Sequence, residues 1–167
     1  MRPWRPDDLD SLVRHANNRA IWINLRDRFP HPYTRTDGEE FLDLAATLKP
    51  QIFFAIDLDG EAVGGVGVTP NDDIERIGGE LGYWVGEEHW GKGLATAAAR
   101  EMTDYCFGAL KLHRVWATPF TRNVASIRVL EKLGFRHEGT LRESAIKAGR
   151  LESMEILAVT APEWTSS

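Results

Sequence analysis

Glu80-Leu81-Gly82-Tyr83-Trp84-Val85-Gly86-Glu87-Glu88-His89-Trp90-Gly91-Lys92-Gly93-Leu94-Ala95-Thr96 is the stretch on which the fold turns. Glu80 to Gly86 predicts a strand, and Leu94 to Ala109, rich in alanine, predicts a helix with Leu94, Ala98, Met102, Tyr105 and Ala109 on one face. Between them Gly91 and Gly93 flank Lys92. Glycine permits backbone geometries closed to other residues and lets a ligand approach closely. The first turn of a helix adds free N–H donors and a partial positive charge. Together these make a cradle for a phosphate or pyrophosphate. The plain alternative is a strand-to-helix turn that merely needs glycine. A Walker loop fits poorly, because Gly93, not Ser or Thr, follows Lys92, and a nucleotide-binding protein using the same cradle is a distant further reading. A dinucleotide fingerprint fits poorly: Thr96 is not the third small residue, and the strand leading in is the fourth.

Working outward, the chain alternates between extended and helical segments. Upstream lie a short strand at Arg2 to Arg5 and a helix capped by Asp7, with Leu9, Leu12, Val13 and Ala16 on one face. Thr36-Asp37-Gly38-Glu39 has the form of a capping box and opens a second helix that stops near Pro50. Ile52 to Leu58 and Ala62 to Thr69 form a hairpin around Asp59-Gly60. Downstream come a strand at Arg114 to Pro119, a helix at Val124 to Leu133 ended by Gly134, and strands at Arg136 to Ile146 and Ser153 to Thr160 around Gly149. Seven strands with both hairpins and crossover helices imply an α/β (α+β) fold with a mixed sheet covered on both faces.

The 167 residues fit one domain, residues 1–167, with one core. A net charge of −5 argues against a nucleic-acid partner and is compatible with a cationic one. No apolar run is long enough for a bilayer, so no membrane partner is expected. The start of the chain is polar, and Cys106 is the single cysteine. A reducing, cytoplasmic location without thiolate metal sites is the expectation.

Two separated segments, taken with the strand that bears Glu80, resemble a known family. Glu80 to Val85 followed by Trp90 to Thr96 is similar to the acetyl-CoA motif of the GNAT acetyltransferase superfamily, and most like its ribosomal-protein N-terminal (alanine or serine) acetyltransferase branch. Trp90 stands in the Gln/Arg place of the general pattern, Gly93 in that of the first glycine, Ala95 in that of the last small residue. Asn123-Val124-Ala125-Ser126-Ile127-Arg128-Val129-Leu130-Glu131-Lys132-Leu133-Gly134-Phe135 resembles the family's Asn-x-x-Ser…Glu-Lys-Leu-Gly-Phe segment. Phe29-Pro30-His31-Pro32-Tyr33-Thr34 resembles a loop of the same branch. The likeness runs from about Arg2 to Trp164.

The resemblance implies a GNAT-like, mostly antiparallel central sheet of about seven strands. It implies acetyl-CoA as donor, no metal, and direct transfer of the acetyl group to a primary amine on a peptide N-terminus or a small molecule. The protein would act as a monomer or homodimer. Trp84, Val85, Trp90, Gly91, Lys92, Gly93, Leu94, Ala95, Thr96, Asn123 and Ser126 are the implied donor-binding residues. His31, Tyr33 and Tyr83 are the candidates for the acceptor side.

Transfer to an amine poses two proton problems. A lysine-like amine has a pKa of about 10 and must lose a proton before it attacks. The departing thiolate must gain one. Glu80 is the candidate base, the alternative being a solvated or arginine-paired carboxylate. Ser126 is the candidate acid, the alternative being a small residue packed in its helix's first turn. Asn123 is expected to cap that helix and to meet the donor's pantetheine arm. Many members of the family carry a tyrosine directly before the Glu-Lys pair; Leu130 stands there. A second function class stays open: a fold that holds CoA as a sensor or scaffold without catalysis.

Overall fold

The computed structural model describes residues 1–165. Seven strands form one sheet in the order β1-β2-β3-β4-β5-β7-β6. They are β1 (Arg2–Pro3), β2 (Phe53–Leu58), β3 (Glu61–Pro70), β4 (Gly78–Val85), β5 (Arg114–Ala117), β6 (Arg136–Lys147) and β7 (Arg150–Thr160). The helices are α1 (Leu9–Ala16), α2 (Arg19–Trp22), α3 (Arg35–Thr47), α4 (Leu94–Gly108) and α5 (Val124–Lys132). Pairing is antiparallel at β1–β2, β2–β3, β5–β7 and β6–β7, and parallel at β4–β5. Among the described residues no helix is long and apolar enough to cross a membrane.

The chain divides into two compact units. Among the described residues, the first holds 1–67 and 83–98, the second 68–82 and 99–165. In the first, β2 and β3 turn at Asp59 (φ 52°) and Gly60 (φ 92°), two left-handed residues in succession as the tightest hairpin requires. Leu12, Ala16 and Tyr33 form a buried cluster, with Trp4, Val13, Phe29, Phe41, Leu42 and Trp84 packed on it.

Two expected caps fall elsewhere. Helix α3 begins two residues earlier than Thr36 implies. Thr34 is the N-cap, its hydroxyl accepting the Asp37 N–H at 3.3 Å while the Asp37 carboxylate accepts the Thr34 N–H at 2.7 Å. The frames Thr34-x-x-Asp37 and Thr36-x-x-Glu39 both offer a box. The neighbouring Tyr33 is only 4% exposed and its N–H donates to Asn17 Oδ1, which pins the chain one residue before Thr34. Thr34→Ala should lower the unfolding free energy by about 1 kcal/mol, measured by urea denaturation. Asp7 caps nothing: α1 follows a 3-10 turn over Pro6–Asp8, and the buried Asp8 carboxylate instead takes Arg2 and the Arg5 N–H.

In the second unit, β4 pairs with β5 over three residues, Gly78–Glu80 against Arg114–Trp116. Helix α5 ends as its sequence indicates. Gly134 takes φ 84°, its N–H donates to the Glu131 carbonyl, and the Phe135 N–H donates to the Leu130 carbonyl at 3.1 Å. Leu130 and Phe135, which that motif brings together, are both buried. The β6–β7 hairpin is long and mostly exposed along β6. Its register breaks twice, between His137 and Gly139 and between Leu141 and Ala145.

Candidate active site

The candidate donor-binding residues of the first unit lie on one continuous run of chain. Strand β4 delivers Tyr83, Trp84 and Val85, and a 3-10 turn over Glu87–His89 follows. Trp90 is 49% exposed, yet its indole N–H donates to the Val85 carbonyl at 2.7 Å. The ring thus straps the loop back onto the strand it leaves. Gly91 and Gly93 take φ 76° and 80°, where a side chain is strained. No atom lies within 4 Å of a Cβ built on either glycine, so backbone geometry rather than lack of room selects them. The Gly93 carbonyl accepts the Ala97 N–H, so the N–H groups of Leu94, Ala95 and Thr96 precede the first helical bond. Lys92 is exposed beside them, its Nζ 3.4 Å from His89 Nδ1. Strap, left-handed glycines, leading amides and lysine together are an arrangement that suits an anion.

The candidate acceptor residues are placed variously. His31 is exposed and stacks on Trp22 at 5.5 Å between centroids. Tyr33 belongs to the buried cluster, against Phe29, and burial pushes its phenol well above the usual range. Tyr83 is half-buried near the end of β4. Trp84 packs edge-on against Phe29.

The second unit carries the candidate proton-transfer groups. Glu80 is half-buried on β4, and Thr118 Oγ1 donates to its Oε1 at 2.7 Å. No motif in the sequence singles out Thr118. It lies two residues beyond Trp116, the partner of Glu80 across β4 and β5. Asn123 caps α5, its Oδ1 accepting the Ser126 N–H at 3.2 Å. Ser126 is half-buried in the first turn of that helix. Leu130 is fully buried and belongs to the core. Cys106 is fully buried too, and burial pushes its thiol up to about 12, which removes it as a nucleophile.

Sequence reasoning passed over one cluster near the cradle. His15, in the last turn of α1, is 4% exposed and 2.7 Å from Glu61 Oε1. The Glu61 carboxyl is held below its usual range, first by the His15 hydrogen bond and then by the Arg14 charge. Beside them Arg14, His15, Asn18, Glu87 and Glu88 line a cavity of about 370 Å³. Its members are scattered over the sequence, so no spacing announces them.

Comparison with known proteins gives a consistent result. The Acetyltransferase (GNAT) domain family matches residues 1–136. The chain is similar to the spermidine N(1)-acetyltransferase of Escherichia coli (strain K12), with 31% identity over 147 residues that cover 84% of this chain and 74% of that protein. It is similar to the "Probable N-acetyltransferase YjcK" of Bacillus subtilis (strain 168), with 43% identity over 83 residues, or 50% of this chain and 46% of that protein. The chain spans about half the length of the first curated relatives it matches. Among solved structures, Mycobacterium smegmatis RimJ in complex with CoA-disulfide superposes with a TM-score of 0.84 at 30% identity, covering 99% of this chain and 83% of that one. Vibrio cholerae spermidine N-acetyltransferase in complex with CoA and spermine gives 0.82 at 25%, covering 97% and 95%.

Proposed function

Since the chain belongs to the GNAT acetyltransferase family, we propose that it transfers the acetyl group of acetyl-CoA directly to a primary amine. The observation that carries this proposal is the cradle at the start of α4, with its two left-handed glycines and leading amides. Its charge and its donors suit a pyrophosphate. The Trp90 strap preorganises the loop. Trp90→Phe should raise the CoA dissociation constant roughly 2- to 10-fold, the worth of one net hydrogen bond, measured by calorimetry.

In the transfer, the amine nitrogen attacks the thioester carbon. A C–N bond forms, the C–S bond breaks, and CoA leaves as thiolate. Glu80 receives the amine's proton, directly or through water. Thr118 fixes one oxygen of that carboxylate. Ser126 supplies a hydroxyl for the thiolate, on a helix whose first turn Asn123 holds in place. No metal takes part in the reaction. The acceptor is an alkylamine of the kind borne by polyamines, which the spermidine acetyltransferases among the relatives are named for, or the amine of a peptide N-terminus. A cytoplasmic setting fits the single, buried, free Cys106.

The test is release of free CoA from acetyl-CoA in the presence of spermidine, spermine and peptides with N-terminal alanine or serine. Turnover with any of them supports transferase activity. Tight CoA binding without turnover would instead favour the sensor or scaffold reading, to which the buried Leu130 in the usual tyrosine place lends support.

A further inference from the structure

We propose that His15, Glu88 and His89 form a binding site for one zinc-type transition-metal ion, on the segment that leads into the cradle. The argument starts from His15, whose side chain is 3% exposed. Its Nε2 lies 2.7 Å from Glu61 Oε1. Glu61 accepts at that nitrogen and Arg14 Nη2, 3.2 Å from it, donates, so two tautomers are open to the ring; the one with its proton on Nε2 toward Glu61 leaves a lone pair on Nδ1. That lone pair faces another acceptor, Glu88 Oε1, at 3.3 Å. A metal ion between the two would take both as ligands.

His89 favours the metal. Its Nε2 lies 3.7 Å from the same Oε1, and the three ligand atoms all fall within 4.8 Å of one another. Zinc held tetrahedrally, with N and O bonds of about 2.0–2.2 Å, spaces its ligand atoms roughly 3.3–3.6 Å apart. The His15–Glu88 separation meets that spacing, and the His89–Glu88 separation of 3.7 Å comes near it.

The surroundings fit as well. Glu61 behind His15 completes a carboxylate–histidine–metal relay, which fixes the ring's tautomer and its aim. Gly86 clears the approach, since a Cβ there would lie 2.5 Å from His15 Nδ1. The cavity lined by Arg14, Asn18 and Glu87 borders the trio and admits the water that completes the coordination. Two imidazoles with one carboxylate select zinc and its neighbours over magnesium and calcium. Metal at His89 Nε2 requires the proton on Nδ1, whereas the donor Lys92 Nζ lies 3.4 Å from Nδ1, so the lysine has to move away when the ion binds. The ion braces the 86–90 segment against α1 and takes no part in acetyl transfer.

Titration of zinc chloride into untagged, metal-stripped protein by calorimetry tests this. Saturable binding of one ion is expected, with a rise in melting temperature and tetrahedral visible bands when cobalt replaces zinc. His89→Ala and Glu88→Gln change exposed or half-exposed side chains, so both should fold. Each should weaken zinc at least ~10-fold, a loss that even outer-shell changes reach. His137→Ala alters a histidine paired with Glu155 elsewhere and should leave zinc binding unchanged. Absence of saturable binding, equal affinity for magnesium, undiminished binding in both site variants, or loss through His137 would each overturn the proposal.

Discussion

Glu80→Gln is expected to lower kcat by about 10²- to 10⁴-fold while the dissociation constant for CoA stays within about 2-fold of wild type. The substitution keeps shape and keeps an amide oxygen to accept the Thr118 hydroxyl, so the fold at β4 is undisturbed. It removes only the ability to take a proton. An alkylamine is overwhelmingly cationic at neutral pH, so without a base attack waits on the small neutral fraction. Raising the pH supplies more of that fraction, and the defect should therefore shrink as the pH rises. Steady-state kinetics with a thiol reagent and calorimetry with CoA together separate rate from binding. An unaltered kcat would remove Glu80 from the mechanism, and a parallel loss of CoA affinity would make its role structural.

Gly93→Val should weaken CoA ~10- to 100-fold. The reason is conformational. At φ 80° a β-branched residue costs about 1–3 kcal/mol. The loop relieves that strain by moving, and the leading amides of α4 move with it. Within the protein itself the added Cβ meets no crowding, because nothing lies within 4 Å of it. A matched control exists in Gly60, at φ 92° in the β2–β3 turn with equally open surroundings. Gly60→Val should lower the melting temperature and leave CoA affinity intact. Equal CoA binding by the Gly93 variant and wild type would show that the cradle does not hold the donor.

These two positions also show what one sequence makes legible. Features set by neighbouring residues were readable: the Asp59-Gly60 turn, the Gly134-Phe135 helix end and the glycine loop before α4 follow from local backbone chemistry. The start of α3 was misplaced because two overlapping frames each offer a cap and a distant contact, Tyr33 to Asn17, selects one. Helix α2 escaped notice because four residues are too few to show a period. Thr118 became a partner of Glu80 only through a parallel pairing between strands separated by α4. The group of His15, Glu61, Glu88 and His89 spans three distant stretches, which tertiary folding alone assembles.

The outermost strands decide how this sheet behaves toward other chains. An exposed sheet border is a template on which a stray strand can grow, and long, flat borders seed aggregates. Here one border, β1, is two residues long and ends in Pro3, which has no N–H to offer. The other, β6, twice breaks step with β7 and carries Arg136, Glu138, Arg142 and Glu143. An incoming strand would lose register at each break and meet charge along the way. A partially unfolded chain that docks on either border gains few hydrogen bonds, so the protein should stay dispersed at concentrations where smooth-edged sheets precipitate.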